Sequence, residues 1–524
     1  MSAQRKLSTP TYPDDWQMLP EGSVVDGSRA THDVTDVADY VIIGSGAAGA
    51  TAALSLASSG YSVIILEEGP WIRTRQFGAD MFGAMKTMFR EMGGTMTVGK
   101  AMFPVIQGRC VGGSTTINSA IAWRAPEKIV DSWTSHFGLD GTITNADLEQ
   151  HYVELERSLS VKPVDEAVLG VQNQLFAEAA MKLGIRAERI QRYDGGCEAS
   201  ASCISGCRTG KKLSMNVTYV PQSLHKGARM YTSAKALKVE SEYGRATAVR
   251  ARLLAPGGPQ LRVIARRGVI VAASAVQTPG ILGRSGVKSK ALGKHFQVHL
   301  VSSLTAGFHQ VVNMDQGATQ GFNSTHFGES ERFKTEVVSL PPELLAVRLP
   351  GVGPELMANL LDYRHALNWG VVVRAESEGK IHSILGTDVI AYSPSPTDMA
   401  RIRRGLRVLS EMMFASGAKE IWPSVQGMPT MKSADDLKAW DSASLDPKDY
   451  GLMASHLFGS ARMGPDPSTS VVGLDFQVHG LRGLYVLDSS LFPTNLGINP
   501  QHTIMAVARL ASTRIAELPL PSRG

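Results

Sequence analysis

The sequence predicts an α/β fold built on a parallel sheet, on three observations. Asp39-Tyr-Val-Ile-Ile43 is a short apolar run, Gly44-Ser-Gly-Ala-Ala-Gly49 opens an alanine- and leucine-rich stretch to Ser59, and Tyr61-Ser-Val-Ile-Ile-Leu66 is a second apolar run. Strand, tight turn, helix and strand within about 30 residues make one right-handed parallel crossover unit. Continuous apolar strands of this kind are covered by helices on both faces.

Gly44, Gly46 and Gly49 fit G-x-G-x-x-G in the context that gives the motif meaning, directly after a strand and at a helix start. The first glycine permits the tight turn, the second lets a pyrophosphate approach the backbone, and the third lets helix and strand pack closely. The helix N-terminus then faces the phosphates. Ser45, Ala47 and Ala48 fill the turn and belong to the same expected site. Glu67 ends the second strand about 20 residues after Gly44, where an acid accepts hydrogen bonds from ribose hydroxyls and disfavours a 2′-phosphate. Glu68 follows it. This fingerprint suits NAD and FAD equally, so the choice falls to the rest of the chain.

The 524 residues imply two or three compact units. Lys and Arg number 53 against 48 Asp and Glu, a net +5 without a long basic run, which excludes a nucleic-acid footprint and favours small-molecule partners. Four cysteines are too few for a disulfide framework. Residues 1–37 are polar and lack the apolar core of a signal peptide, and no stretch is apolar for about 18 residues, so no transmembrane segment and a cytoplasmic location are expected.

Further along, Met81 to Met102 mixes methionine and glycine, its methionines suited to packing or to an adaptable apolar entrance. Gly108-Arg-Cys-Val-Gly-Gly-Ser114 reads as a loop passing close to a ligand. Amphipathic helices are expected over Asn145 to Leu159 and Val168 to Leu183. Cys197, Cys203 and Cys207 lie in a glycine-rich loop with no paired C-x-x-C, a weak metal signal, so no metal is assigned. Alternating strands fill Ala234 to Ala265 and end in the apolar Val269-Ile-Val-Ala-Ala273. Residues 300 to 440 lack nucleotide signals and read as an inserted domain. Leu484-Tyr-Val-Leu487 is a late strand, and Asn499-Pro500 supplies an N-cap and first helical residue for a helix to Leu518.

At Cys110-Val-Gly-Gly-Ser-Thr-Thr-Ile-Asn118 the chain resembles the glucose-methanol-choline (GMC) oxidoreductases, flavoenzymes that bind FAD and oxidise alcohols. Ser274-Ala-Val-Gln-Thr-Pro-Gly-Ile-Leu-Gly-Arg-Ser-Gly-Val287 resembles the family's second signature, with Lys288 in place of a final glycine. Leu292-Gly-Lys-His-Phe-Gln-Val-His299 is similar to the segment after it, with His295 where asparagine is usual. His456-Leu-Phe-Gly-Ser-Ala-Arg-Met-Gly464 and Asn499-Pro-Gln-His-Thr503 are similar to the two active-site segments. The resemblance implies a Rossmann-like FAD domain from noncontiguous segments with an inserted α+β substrate domain, an antiparallel sheet carrying helices. The expected divisions are an extension at 1–37, FAD-domain parts at 38–130, 196–300 and 446–524, a helical substrate-side segment at 131–195 and the substrate domain at 301–445.

It also implies the site. Arg109, Gly112, Gly113, Ser114, Asn118 and Ala120 would flank the flavin, and Ala236, Ala273 and Ser274 would leave room for the nucleotide. Asp488 would lie near the ribityl or pyrophosphate. Relatives that bind FAD covalently carry a histidine where this chain has Ile117, which implies non-covalent FAD. The helix start Pro500-Gln501-His502-Thr503 would face the flavin N1 and C2 carbonyl, with the backbone N–H groups of Gln501, His502 and Thr503 the donors, since a helix N-terminus stabilises negative charge. His456 matches the catalytic base and Asn499 its partner, holding the alcohol oxygen, with His502 a rival for that role. The expected reaction is oxidation of an alcohol to an aldehyde or ketone, with oxygen or another acceptor taking the electrons. Cysteine-glycine loops in long-chain alcohol oxidase relatives suggest a lipophilic alcohol, aromatic ones included. A non-redox lyase on the same scaffold is the alternative, and an NAD-linked reductase is disfavoured for want of a second nucleotide fingerprint.

Overall fold

The computed structural model describes residues 12–519 apart from 79 and 385, so the start of the polar lead lies outside the described residues. The first apolar run becomes the strand Val34–Ile43, the alanine-rich stretch the helix Ala47–Ser58, and the second run the strand Val63–Leu66. Val41 pairs in parallel with Ile64 on one side and Val269 on the other. All four residues of Val63–Leu66 are buried, as a sheet covered on both faces requires. Small side chains let the helix lie close: Ala50, Ala52 and Ala53 have no exposed surface. The C-terminal helix Gln501–Glu517 packs against it.

Across this sheet the strands run Val24–Asp26, Arg229–Thr232, Val63–Leu66, Val34–Ile43, Gln260–Val271, Arg245–Leu253 and Ala234–Glu242, with Leu484–Val486 also pairing on Gln260–Val271. The expected hairpins and the apolar Val269 run are one antiparallel meander whose last strand continues into the parallel centre. The N-terminal lead is not wholly an extension. Val24–Asp26 pairs in parallel with Met230–Thr232, and the central strand begins at Val34 rather than after residue 37. Asp36 explains how a polar stretch joins the sheet, because its carboxylate takes both Arg229 Nη1 and Tyr231 Oη.

A second, antiparallel sheet runs Glu420–Trp422, Gln297–Gly307, Ala366–Arg374, Phe333–Val337, Phe322–Ser324 and Glu188–Arg189, and Met453–Phe458 pairs with the first half of Gln297–Gly307. The helix Pro396–Ala415 lies across it, started by Ser395, whose Oγ accepts from Asp398 N–H at 3.1 Å. The inserted α+β domain is thus present, but its edges interleave with the first domain. An expected boundary at 300/301 cuts through Gln297–Gly307, and the segment 446–524 gives one strand to each sheet. Hence His456 stands on the second sheet while Asp488 follows a strand of the first.

Candidate active site

Between the sheets lies a cavity of about 1310 Å³, lined by Gly44, Asp488 and Ala236 from the first sheet and by Val301, Glu336 and His456 from the second. This exceeds the range of about 300–1,000 Å³ usual for a single ligand site, leaving room for a cofactor with a substrate beside it. At the first turn Gly44 has φ +102°, and a Cβ there would stand 2.4 Å from Ala272 O; a Cβ on Gly49 would stand 2.0 Å from Gly44 O. No other residue fits either place. The turn therefore folds back tightly and presents Ser45, Gly46, Ala47 and Ala48 to the cavity at the N-terminus of Ala47–Ser58.

Glu67 is buried beside the turn. Its Oε2 accepts from Ser45 N–H at 3.0 Å and Ser45 Oγ at 2.6 Å, and its Oε1 from Gly69 N–H at 2.9 Å. Oε2 thus has both lone pairs engaged, while Oε1 keeps one, so the group that shapes the turn still offers an acceptor to a ribose. Glu68 lines the cavity as well but is paired with Arg90 at 2.7 Å. Asp488 accepts from Ser274 N–H, Thr278 Oγ1 and Ser490 N–H, which pins the strand end to the helix Ser274–Arg284. Ala236, Ala273 and Ser274 line the wall, Ser274 at a strained φ of +85° and hydrogen-bonded through Oγ to Gln107 Nε2.

The loop Gly108 to Asn118 closes the other side, with Gly113, Ser114 and Asn118 facing in. Asn118 Nδ2 donates to Gln501 Oε1 at 2.6 Å and its Oδ1 accepts from Ala120 N–H, joining the loop to the C-terminal helix. Behind it, buried Lys212 donates to the carbonyls of Thr116, Asn118 and Cys203 at 2.6, 2.9 and 2.7 Å. Burial pushes its pKa down to about 8. Lys212→Met removes all three charge-assisted bonds from a loop that faces the cofactor, and hydrogen bonds to charged groups carry about 1.5–3 kcal/mol each. The expected result is at least about tenfold weaker flavin retention, read as the ratio of flavin to protein absorbance after gel filtration.

Six of the expected cofactor residues do not line the cavity: Gly49, Arg109, Gly112, Ala120, His502 and Thr503. Gly49 is spent on packing. Gly112 N–H instead donates to Ser45 Oγ at 3.0 Å, holding loop to turn from behind. Arg109 contributes backbone, its N–H donating to Met88 O. Ala120 takes φ +60° just past Asn118. His502 is fully buried on the outer side of its helix, bonded through Nδ1 to Tyr193 Oη at 3.0 Å and stacked on Tyr152, so it is no rival to Asn499. Thr503 Oγ1 meets Tyr152 Oη at 3.0 Å. The backbone N–H groups of Gln501, His502 and Thr503 still belong to the first turn of a helix, where no intrahelical acceptor exists.

The cysteine loop forms no metal cluster among the described residues, and all four thiols are free. Cys203 Sγ accepts from buried Arg192 Nη2 at 3.1 Å. Of the methionines, Met81, Met85 and Met96 line the cavity, Met88 is core, and Met92 and Met102 are exposed.

The polar end of the cavity is built from residues far apart in the chain. Asn499 does not cap the helix. The cap position is Pro500, and Asn499 Oδ1 instead accepts from Lys334 Nζ at 2.8 Å. Lys334 is buried and also ion-pairs with Glu336, two residues on along Phe333–Val337 and so on the same face. With its oxygen held by the ammonium, Asn499 lines the cavity and has its Nδ2 donor unspent. His456 makes one ring bond, Nδ1 to His299 Nδ1 at 3.0 Å, and His299 Nε2 accepts from Gly497 N–H at 2.8 Å. Burial, with His456 and Lys334 nearby, holds His299 neutral, its pKa well below the usual value.

A neutral His299 accepting at Nε2 must carry its proton on Nδ1, so it donates to His456 Nδ1. His456 then carries its own proton on Nε2, the nitrogen left for the cavity. Desolvation, reinforced by the Lys334 ammonium and only partly offset by the Glu336 carboxylate, pushes the His456 pKa down to about 4. The sequence leads to the expectation of a base near neutrality at this position. In this hydrogen-bond chain His456 is a donor, and accepting a proton would require His299 to surrender its own.

Burial also depresses the pKa of His502, so three histidines fold neutral that are protonated more easily in the unfolded chain. Their stabilising contribution is complete above pH 6.5 and is lost as pH falls toward about 4 for His456. The midpoint of urea unfolding is expected to drop steadily between pH 6.5 and 4, and His456→Gln to flatten that slope by on the order of 1 kcal/mol per pH unit.

The comparisons with known proteins agree with this geometry. The GMC oxidoreductase N-terminal family model matches residues 85–301 and its C-terminal counterpart 382–508, while a pyridine nucleotide-disulphide oxidoreductase model matches 39–102, the turn and its strands. An uncharacterized GMC-type oxidoreductase of Mycobacterium tuberculosis is 32% identical over 90% of this chain and 74% of its own length. A long-chain-alcohol oxidase of Arabidopsis thaliana is 26% identical over 96% of this chain and 70% of its own. Among solved structures, pyridoxine 4-oxidase from Mesorbium loti superposes with a TM-score of 0.68 at 16% identity, covering 91% of this chain and 98% of that one. A formate oxidase superposes at 0.69 and 16%, covering 93% and 99%. A tight glycine turn, an acid at its strand end, a loop clamped by Lys212 and a helix N-terminus around one cavity suit a dinucleotide flavin, and the chain belongs to the GMC oxidoreductase family, whose cofactor is FAD.

Proposed function

We propose that the protein oxidises a lipophilic or aromatic alcohol to an aldehyde or ketone, with oxygen or another acceptor taking up the electrons. When bound, FAD supplies the hydride acceptor. The observation that carries the reading is the set of polar groups in the cavity wall that Lys334 ties together, Asn499 and Glu336 bonded to its ammonium and His456 within its electrostatic reach, which supplies a donor at His456 Nε2, an amide donor at Asn499 and a carboxylate at Glu336. An alcohol oxygen accepts two hydrogen bonds and donates one, so this set satisfies it. His456 and Asn499 hold the oxygen and stabilise the negative charge it gains, and Glu336 accepts the hydroxyl proton. Lys334 acts through these residues, fixing the Asn499 amide and neutralising the carboxylate in a water-poor site.

The walls leading to this point are apolar, with Val301, Val338, Leu340 and Met453 among them, and this supports a lipophilic substrate. The test is the visible spectrum of the anaerobic holoprotein before and after addition of aliphatic, aromatic, sugar and sterol alcohols. Bleaching by the lipophilic members supports the reading, whereas a flavin that no alcohol bleaches points to the lyase alternative on the same scaffold. Proposed domain limits are those of the two sheets, with the site between them. Among the described residues no helix is long and apolar enough to cross a membrane, and a cytoplasmic location is part of the proposal.

A further inference from the structure

Arg348 ends a short turn of helix, Ala346–Arg348, and its side chain lines the same cavity on the second sheet's side. Its Nη1 lies 3.9 Å from where a Cβ on Gly451 would stand. Gly451 precedes the strand Met453–Phe458 that carries His456, and the strand from Met453 to His456 alone spans about 10 Å, so the guanidinium sits away from the alcohol-binding point. The same wall carries the apolar Val301, Val338, Leu340, Trp422, Val425 and Met453, with Ser424, Gln426 and Thr430 among them.

No hydrogen bond or ion pair engages the Arg348 guanidinium among the described residues, in contrast to Arg90, Arg124 and Arg401, which all face carboxylates. Burial alone acts on it and lowers its pKa, with no acidic neighbour to offset the effect. Arg348 keeps part of its surface open to the cavity, and an unpaired guanidinium there presents a planar fork of donors that matches a carboxylate. The cavity wall thus holds the charge-balanced Lys334–Glu336 pair with Asn499 and His456 in one part, a largely apolar surface elsewhere on the second sheet's side, and at Arg348 a cation with no counter-charge.

We infer that Arg348 binds a carboxylate at the far end of the substrate, so that the preferred alcohol is an ω-hydroxy acid with an apolar body. This rests on the alcohol-oxidation reading, and the experiment separates the two. Anaerobic flavin bleaching is followed with ω-hydroxydodecanoate and with its methyl ester, for the wild type, Arg348→Leu and Arg348→Lys. Separately, binding of dodecanoate, which has no hydroxyl to oxidise, is measured by calorimetry on the same three holoproteins.

Hydrogen bonds to a charged group are worth about 1.5–3 kcal/mol, so the wild type is expected to favour the acid over the ester by roughly 10- to 150-fold in kcat/KM. Arg348→Leu brings that ratio to about unity, and Arg348→Lys keeps part of it. Dodecanoate affinity follows the same order. Equal use of acid and ester by the wild type, or dodecanoate binding that Arg348→Leu leaves intact, overturns the inference while alcohol oxidation stands. If no alcohol bleaches the flavin but dodecanoate binding still depends on Arg348, the carboxylate site stands and the oxidation reading fails.

Discussion

Glu336→Gln slows anaerobic flavin reduction by alcohol by about 10²–10⁴-fold, the usual contribution of a positioned proton acceptor, equivalent to roughly 3–5 kcal/mol of barrier. Glutamine keeps the size of the side chain and can still accept from Lys334 through its amide oxygen, but it leaves the buried ammonium without its counter-charge, so urea unfolding is measured beside the rate to separate lost stability from lost chemistry. What it removes is the ability to take the hydroxyl proton. His456→Ala, which deletes one of the two donors on the alcohol oxygen, is expected to cost about 10²–10³-fold, as removal of a single oxyanion donor does. The comparison decides where the proton goes. Single-turnover reduction at the wild-type rate in Glu336→Gln, with His456→Ala still slow, would sink the carboxylate assignment and return the base to His456. The Gly497–His299–His456 chain would then have to reverse its protons during turnover.

The parts of the site legible in the sequence are those whose chemistry depends on neighbours along the chain. The strand, G-x-G-x-x-G turn, helix and Glu67 are local, so their roles follow from spacing, and the turn and acid occupy the cavity as expected. His456 and Asn499 were found through short segments that resemble a family, and both stand at the cavity wall. Their working partners were not legible. Lys334 and Glu336 occupy alternate positions in Phe-Lys-Thr-Glu-Val, which reads as an exposed edge strand with charges toward water. In fact every residue of Phe333–Val337 is buried. Two opposite charges at i and i+2 within an otherwise buried strand would have been the signal, but one-dimensional patterning does not tell a solvated face from a cavity wall. His299 reads as a lone core histidine, and only the pairing of its strand with Met453–Phe458 places it beside His456. His502 shows the converse: it lies in a matching segment, yet its ring is buried away from the cavity, against Tyr152 and Tyr193.

Lys334→Met should be the most disruptive single change at the site. It leaves Glu336 as a buried carboxylate without its cation, and breaking one side of a buried pair costs about 3–5 kcal/mol because the remaining charge stays desolvated. It also frees the Asn499 carbonyl, so the amide no longer has a fixed donor face and alcohol reduction of the flavin falls along with stability. The two losses separate in the double variant Lys334→Met/Glu336→Leu. Replacing both partners by apolar residues removes the uncompensated charge, and such exchanges are commonly neutral or stabilising. Urea unfolding is therefore expected to show a large drop in the single variant and recovery of most of it in the double variant, while the double variant stays slow in anaerobic reduction. Recovery of both stability and rate would mean that the pair serves the fold alone, and that His456 and Asn499 suffice for the chemistry. A double variant as unstable as the single one would mean that Lys334 is held by packing rather than by its charge. The predicted split between restored stability and lost rate follows from where this pair stands, in the wall of the second sheet with Asn499 of the C-terminal segment bonded to it, where a charge too costly for the core is kept because it orients the groups that meet the substrate.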